Sequence, residues 1–173
     1  MNFEKPEYKI TEYVENKHYG KFELEPLERG FGTTIGNALR RVMLSSMPGS
    51  AVTSIKIAGI QHEFSTIPGV KEDVTEIVLN LKSVILKIHG DEPKTMYVDV
   101  KGEGELTAGS FTTDSDVEIL NPDLHIASLD SDAHVVMEIT CDKGRGYVSA
   151  EKNKKLFNPP IGVIAITLFI HRY

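Results

Sequence analysis

Residues 27–49 carry the pattern that most restricts how this chain folds. Two glycines, Gly30 and Gly32, precede apolar residues at Ile35, Ala38, Leu39, Val42, Met43 and Met47, and Pro48-Gly49 follows. At about 100° per residue, those apolar positions fall on one side of a single helix. The glycines allow a tight backbone approach before it, Thr33 or Thr34 offers a capping hydroxyl, and Pro48-Gly49 stops it. Asn37, Arg41 and Leu44 fall roughly opposite the stripe. A leucine beside an arginine on the outer face is what interface cores favour, although a lone exposed leucine is ordinary. Spacing alone leaves both a partner surface and a solvated face open.

Length and composition narrow the class. A chain of 173 residues, 40% hydrophobic and 25% charged, has enough apolar material for one good core or two small ones. The formal charge of −6 argues against wrapping nucleic acid, which demands a basic stripe, so no direct DNA binding is expected. Arg40-Arg41 is a local basic patch suited to an acidic partner. Cys141 is the only cysteine, so no intrachain disulfide can form and a reducing, cytoplasmic location is expected. The start lacks a signal-peptide core, and the longest apolar stretch, 161–170, is too short to span a bilayer.

Periodicity predicts a strand over 19–27 feeding the glycine loop, the helix, and a second strand over 51–60. In that second strand Val52, Ile55, Ile57 and Ile60 share a buried face with a bulge. Residues 61–66 read as loop or short strand. A second helix is predicted over 70–82, with Glu72 and Asp73 in its first turn, Lys82 at its end and a stripe of Val70, Val74, Ile77, Val78 and Leu81. Short strands follow over 83–88, 95–101, 104–108, 117–120, 125–129 and 134–142, separated by regular turns. The fold class is α+β, with two early helices and a β-rich, mostly antiparallel second half.

No catalytic signature survives inspection. His18, His62, His89, His125, His134 and His171 show no metal-ligand spacing, and Cys-x-x-Cys is absent. Neither a metal nor a cofactor is expected. Gly102-Glu103-Gly104-Glu105 lacks the spacing and the following helix of a phosphate loop and reads as a turn. Asp114-Ser115-Asp116 and Asp130-Ser131-Asp132 lack the glycine and terminal glutamate of a calcium loop and read as solvated turns. Cys141 reads as a small buried hydrophobe. By contrast, Gly144-Arg145-Gly146-Tyr147-Val148 sets an arginine and a tyrosine on permissive backbone, which presents both side chains outward.

These motifs in order resemble one family. Residues 27–49, with His62-Glu63-Phe64-Ser65-Thr66, Glu72-Asp73, Leu79-Asn80-Leu81-Lys82, Gly144-Arg145-Gly146-Tyr147-Val148 and Pro160-Ile161-Gly162, closely resemble the N-terminal domain of the bacterial RNA polymerase alpha subunit. The likeness runs from about residue 8 to residue 166, with Ser149 and Ala165 standing where the family commonly has proline. It implies a two-lobed fold: residues 1–48 as the N-terminal part of a dimerisation lobe whose C-terminal part is missing here, and residues 49–166 as an inserted β-rich lobe. It implies a scaffold role in a DNA-directed nucleotidyltransferase, with no catalytic residue on this chain. The implied partners are a second alpha subunit, beta and beta-prime. Arg41 and Leu44, with Asn37 and Arg40 beside them, match the beta contact. Glu76, Lys82 and Ile166 match the beta-prime contact, although a solvated helix face also explains Glu76 and Lys82. An alternative is an alpha-like binding module that occupies beta without dimerising.

The last residues, 167–173, depart from the family. Where it continues Asp-Ser-Ile-Tyr-Thr-Pro-Val, this chain reads Thr167-Leu168-Phe169-Ile170-His171-Arg172-Tyr173. Deleting one base from codons for the family heptapeptide gives this sequence at every position. The expectation is therefore a single-base deletion near codon 167, a non-family tail, an exposed N-terminal lobe and impaired dimerisation.

Overall fold

A hairpin of alternating side chains opens the chain. In the computed structural model, which describes residues 5–15 and 19–170 except the side chains of 156, 157, 168 and 169, β1 (Glu7–Val14) pairs antiparallel with β2 (Tyr19–Glu25). The register sets Tyr8 opposite Leu24 and Ile10 opposite Phe22, with a bulge between Ile10 and Glu12. Alternation puts these four apolar side chains on one face.

Helix α1 (Phe31–Ser45) follows. Its N-cap is Gly30 at φ 94°, a left-handed conformation natural to glycine, and not Thr33 or Thr34, which lie inside the first turns. It ends before Met47, with the Ser46 N–H donating to the Val42 carbonyl. Pro48-Gly49 therefore opens the next strand instead of merely stopping the helix.

The chain divides into two units, Met1–Ser46 and Met47–Tyr173. Among the described residues of the first unit none is buried.

The second unit is built on a four-stranded antiparallel sheet in the order β11-β3-β9-β5, from β3 (Pro48–Ile57), β5 (Lys94–Lys101), β9 (His134–Arg145) and β11 (Val163–Ala165). The predicted bulge lies between Val52 and Ser54. Two-stranded pairs join β4 (Leu86–Ile88) to β7 (Val117–Ile119), β6 (Gly104–Thr107) to β8 (His125–Leu129), and β10 (Tyr147–Val148) to β12 (Leu168–Phe169). Alternate residues of the central strands, Val52, Ile55, Ile57, Met96, Val98, Met137, Ile139 and Cys141, join one core with Val74, Ile77 and Leu81 of α2 (Val74–Leu81). The fold is α+β and mostly antiparallel.

The start of α2 and one added element differ from the sequence expectation. Helix α2 begins at Val74, not 70, because Val70 bridges to Leu129 and the Lys71 N–H donates to the Ser128 carbonyl. That extended lead-in ends at Asp73, whose Oδ1 caps the helix by accepting the Glu76 N–H at 2.7 Å. A third helix, α3 (Ala150–Phe157), stands in the half expected to be β-rich, where no helix was predicted, and Ser149 caps it by accepting from the Lys152 N–H. Its sequence is short and polar, with too few apolar residues to show a helical period.

Candidate functional site

Helix α1 presents its whole circumference. Leu39, Val42 and Met43 of the apolar stripe are each more than half exposed, as is Leu44 on the other side. Asn37, Arg40 and Arg41 are exposed, and among the described residues neither guanidinium has an ion-pair partner. Met47, assigned by spacing to the stripe, lies beyond the helix end. The helix thus offers an apolar ridge and, roughly opposite, an arginine-leucine face, neither of them buried within the first unit.

The second predicted set splits. Glu76 is exposed on α2, and Lys82, its C-cap residue, is half-buried. Ile166 is 1% exposed, and this is a correction to its role as a contact side chain. Its N–H donates to the Thr53 carbonyl, and its own carbonyl accepts from Asn153 Nδ2 at 2.9 Å, so the strand path carries the side chain inward.

Close to the start of α2 lies a polar cluster that sequence reading did not find. Glu72, 7% exposed, accepts the Ser128 N–H at Oε2 (2.6 Å) and the Ser128 hydroxyl at Oε1 (3.0 Å). His125 lies between two carboxylates, with Nε2 3.0 Å from Glu72 Oε1 and Nδ1 2.7 Å from Glu105 Oε1. Burial acts to raise the Glu72 pKa, but the hydrogen bonds from Ser128 and His125 outweigh it and hold the carboxyl below its ordinary value. Hydrogen bonds to Glu72 and then Glu105 raise that of His125. The residues are 53 and 20 positions apart in sequence, so no local motif announces them.

The remaining motifs take structural places. Asp116 pairs with Lys94 at 2.7 Å, Ala133 N–H closes the 130–133 turn onto the Asp130 carbonyl, and Gly102 turns at φ 85° between β5 and β6. Cys141 is buried, and desolvation pushes its thiol up to about 11. Arg145 and Tyr147 are exposed, as their glycine flanks suggested. Among the described residues, which exclude His18 and His171, no group of three side chains is placed to hold a metal ion. No described helix is long and apolar enough to cross a membrane.

Comparison with known proteins adds sequence kinship to this geometry. A family model described as the RNA polymerase Rpb3/RpoA insert domain matches residues 55–167. DNA-directed RNA polymerase subunit alpha of Alkaliphilus oremlandii (strain OhILAs) is 60% identical over 166 residues, 96% of this chain and 52% of that relative. The subunit of the same name from Symbiobacterium thermophilum is 58% identical, and that of Desulforamulus reducens 59%, over the same shares. The chain spans about half the length of the curated relatives it matches.

Proposed function

This chain belongs to the family of bacterial RNA polymerase alpha subunits, and on that premise we propose that it is an assembly scaffold for DNA-templated transcription. It contributes surfaces and no catalytic group to a nucleotidyltransferase whose chemistry resides on other subunits. The observation that carries this reading is the first unit, in which no described residue is buried. A unit without its own core gains little from folding alone, since apolar burial is the main favourable term. Contiguous exposed apolar surface of this kind marks an interaction site.

In this account a second copy of the chain covers the stripe of Ile35, Leu39, Val42 and Met43. The opposite face, with Asn37, Arg40, Arg41 and Leu44, meets beta. Arginine suits that role because its planar fork makes several directed hydrogen bonds, and neither Arg40 nor Arg41 has an ion pair within the described chain. Exposed Glu76 on α2 and half-buried Lys82 at its C-cap meet beta-prime, with Ile166 contributing from the core and not as a contact side chain.

Capture of purified beta subunit by the full chain tests the reading. Arg41→Ala and Leu44→Ala are expected each to weaken capture by about tenfold or more, as truncation of an interface anchor does. Undiminished capture by both variants would refute the beta surface. Capture by a chain that sediments as a monomer at all concentrations would favour the binding module that occupies beta without dimerising.

A further inference from the structure

His125 is the side chain on which three segments converge. It begins β8; Glu105 reaches it from β6, and Glu72 from the lead-in to α2. A carboxylate only accepts hydrogen bonds, and a neutral imidazole donates from one nitrogen. Both ring nitrogens lie within 3.0 Å of a carboxylate oxygen, so the arrangement is satisfied by the doubly protonated ring. Glu72 and Glu105 are the charged groups that act on it.

The segment that Glu72 belongs to is fastened to β8 along its length. The Asp130 N–H donates to the Gly69 carbonyl at 2.8 Å, Val70 bridges to Leu129, and the Lys71 N–H donates to the Ser128 carbonyl at 3.1 Å. Glu72 completes the row through the Ser128 N–H. Taking the ring proton away sets a lone pair against one of the two carboxylates. Glu105 is exposed and can turn to water, whereas Glu72 is enclosed. Because Asp73, the next residue, is the N-cap of α2, loosening here reaches the helix directly.

We propose that the proton on His125 latches the lead-in of α2 to β8. Protonated, the ring fixes residues 69–73 and presents α2 in one pose; neutral, it has only an uncharged hydrogen bond left for Glu72, holds the segment more weakly and slackens the Glu76 face. That this face meets a partner rests on the function proposed above, but the latch itself is a property of this chain.

Ring titration and amide hydrogen exchange of the full chain, followed by NMR across pH, test it. After correction for intrinsic exchange, protection at the Lys71 and Ser128 amides is expected to fall as pH rises through the His125 titration. The fall is on the order of tenfold for each unit by which Glu72 raises the ring's pKa, and the Ile139 amide in the central sheet stays unchanged. Glu105→Gln, a substitution at an exposed side chain, moves the His125 titration and the loss of protection together to lower pH. Flat protection across the titration, or a ring titrating at or below its ordinary value of 6.5, overturns the proposal. If Glu76→Ala and Lys82→Ala leave beta-prime capture unchanged while the exchange result holds, the partner assignment fails and the latch stands.

Discussion

Asn80 Nδ2 donates to the Ile126 carbonyl at 2.9 Å, tying the last turn of α2 to the middle of β8. The helix is thus held at both ends by one strand, by Asn80 at its close and by Glu72 before its start. Asn80→Ala leaves a half-buried carbonyl without this donor. The expected loss is about 1–2 kcal/mol of unfolding free energy, read from the urea midpoint of the full chain; an unchanged midpoint contradicts the tie.

Gly69 sits at φ 73°, and a Cβ there would lie 2.8 Å from the Ala133 Cα. Backbone strain and backbone collision act together. Gly69→Ala is expected to destabilise by more than about 1 kcal/mol, visible as a lowered melting temperature, whereas Gly104→Ala, with open space around its Cβ position, changes it far less.

The pH dependence of stability follows from the His125 cluster. The folded-state pKa of His125 is raised, so its contribution is complete below the ordinary value of 6.5 and is lost as pH rises through the folded value. That of Glu72 is lowered, so its contribution is complete above the ordinary value of 4.5 and is lost as pH falls through the folded value. Both are present together between those two ordinary values. The urea midpoint is therefore expected to drop between about pH 5.5 and about pH 8 more in the parent than in His125→Gln. Parallel profiles would contradict this.

Cys141 is buried and its thiol pKa is raised to about 11, with Sγ 3.4 Å from the Lys94 carbonyl. Little thiolate forms and little reagent reaches it. Alkylation of the native chain near neutral pH is expected to run slower than alkylation in urea by several orders of magnitude, in proportion to the fraction unfolded. Comparable rates would show that the central sheet opens readily.

The elements most legible in sequence are those whose pattern is set by one buried face. Val74, Ile77 and Leu81 mark α2, alternation marks β5, β8 and β9, and all point into one core. What escaped reading was fixed by distant pairing. Val70 continues the helical stripe but is drawn into a bridge with Leu129, and Ile166 reads as the edge of a contact until β11 turns it inward. Helix α3 rests on its Ser149 cap and on Asn153, which reaches the Ile166 carbonyl. The His125 cluster joins three strand and loop segments and leaves no local trace. On α1 the outward Arg41 and Leu44 were legible from helical geometry, but helical spacing alone gives no sign that the inner stripe is equally exposed.

The central claim is that α1 is a surface for assembly on both sides. Hydroxyl-radical footprinting reads this directly, because Leu39, Val42, Met43 and Leu44 are 56%, 53%, 52% and 63% exposed in the chain alone. The account predicts that concentrating the chain protects Leu39, Val42 and Met43, and that adding beta subunit protects Leu44, while exposed Tyr97 of the sheet unit keeps its reactivity. Oxidation of all four α1 side chains unchanged at high concentration and in the presence of beta would contradict it.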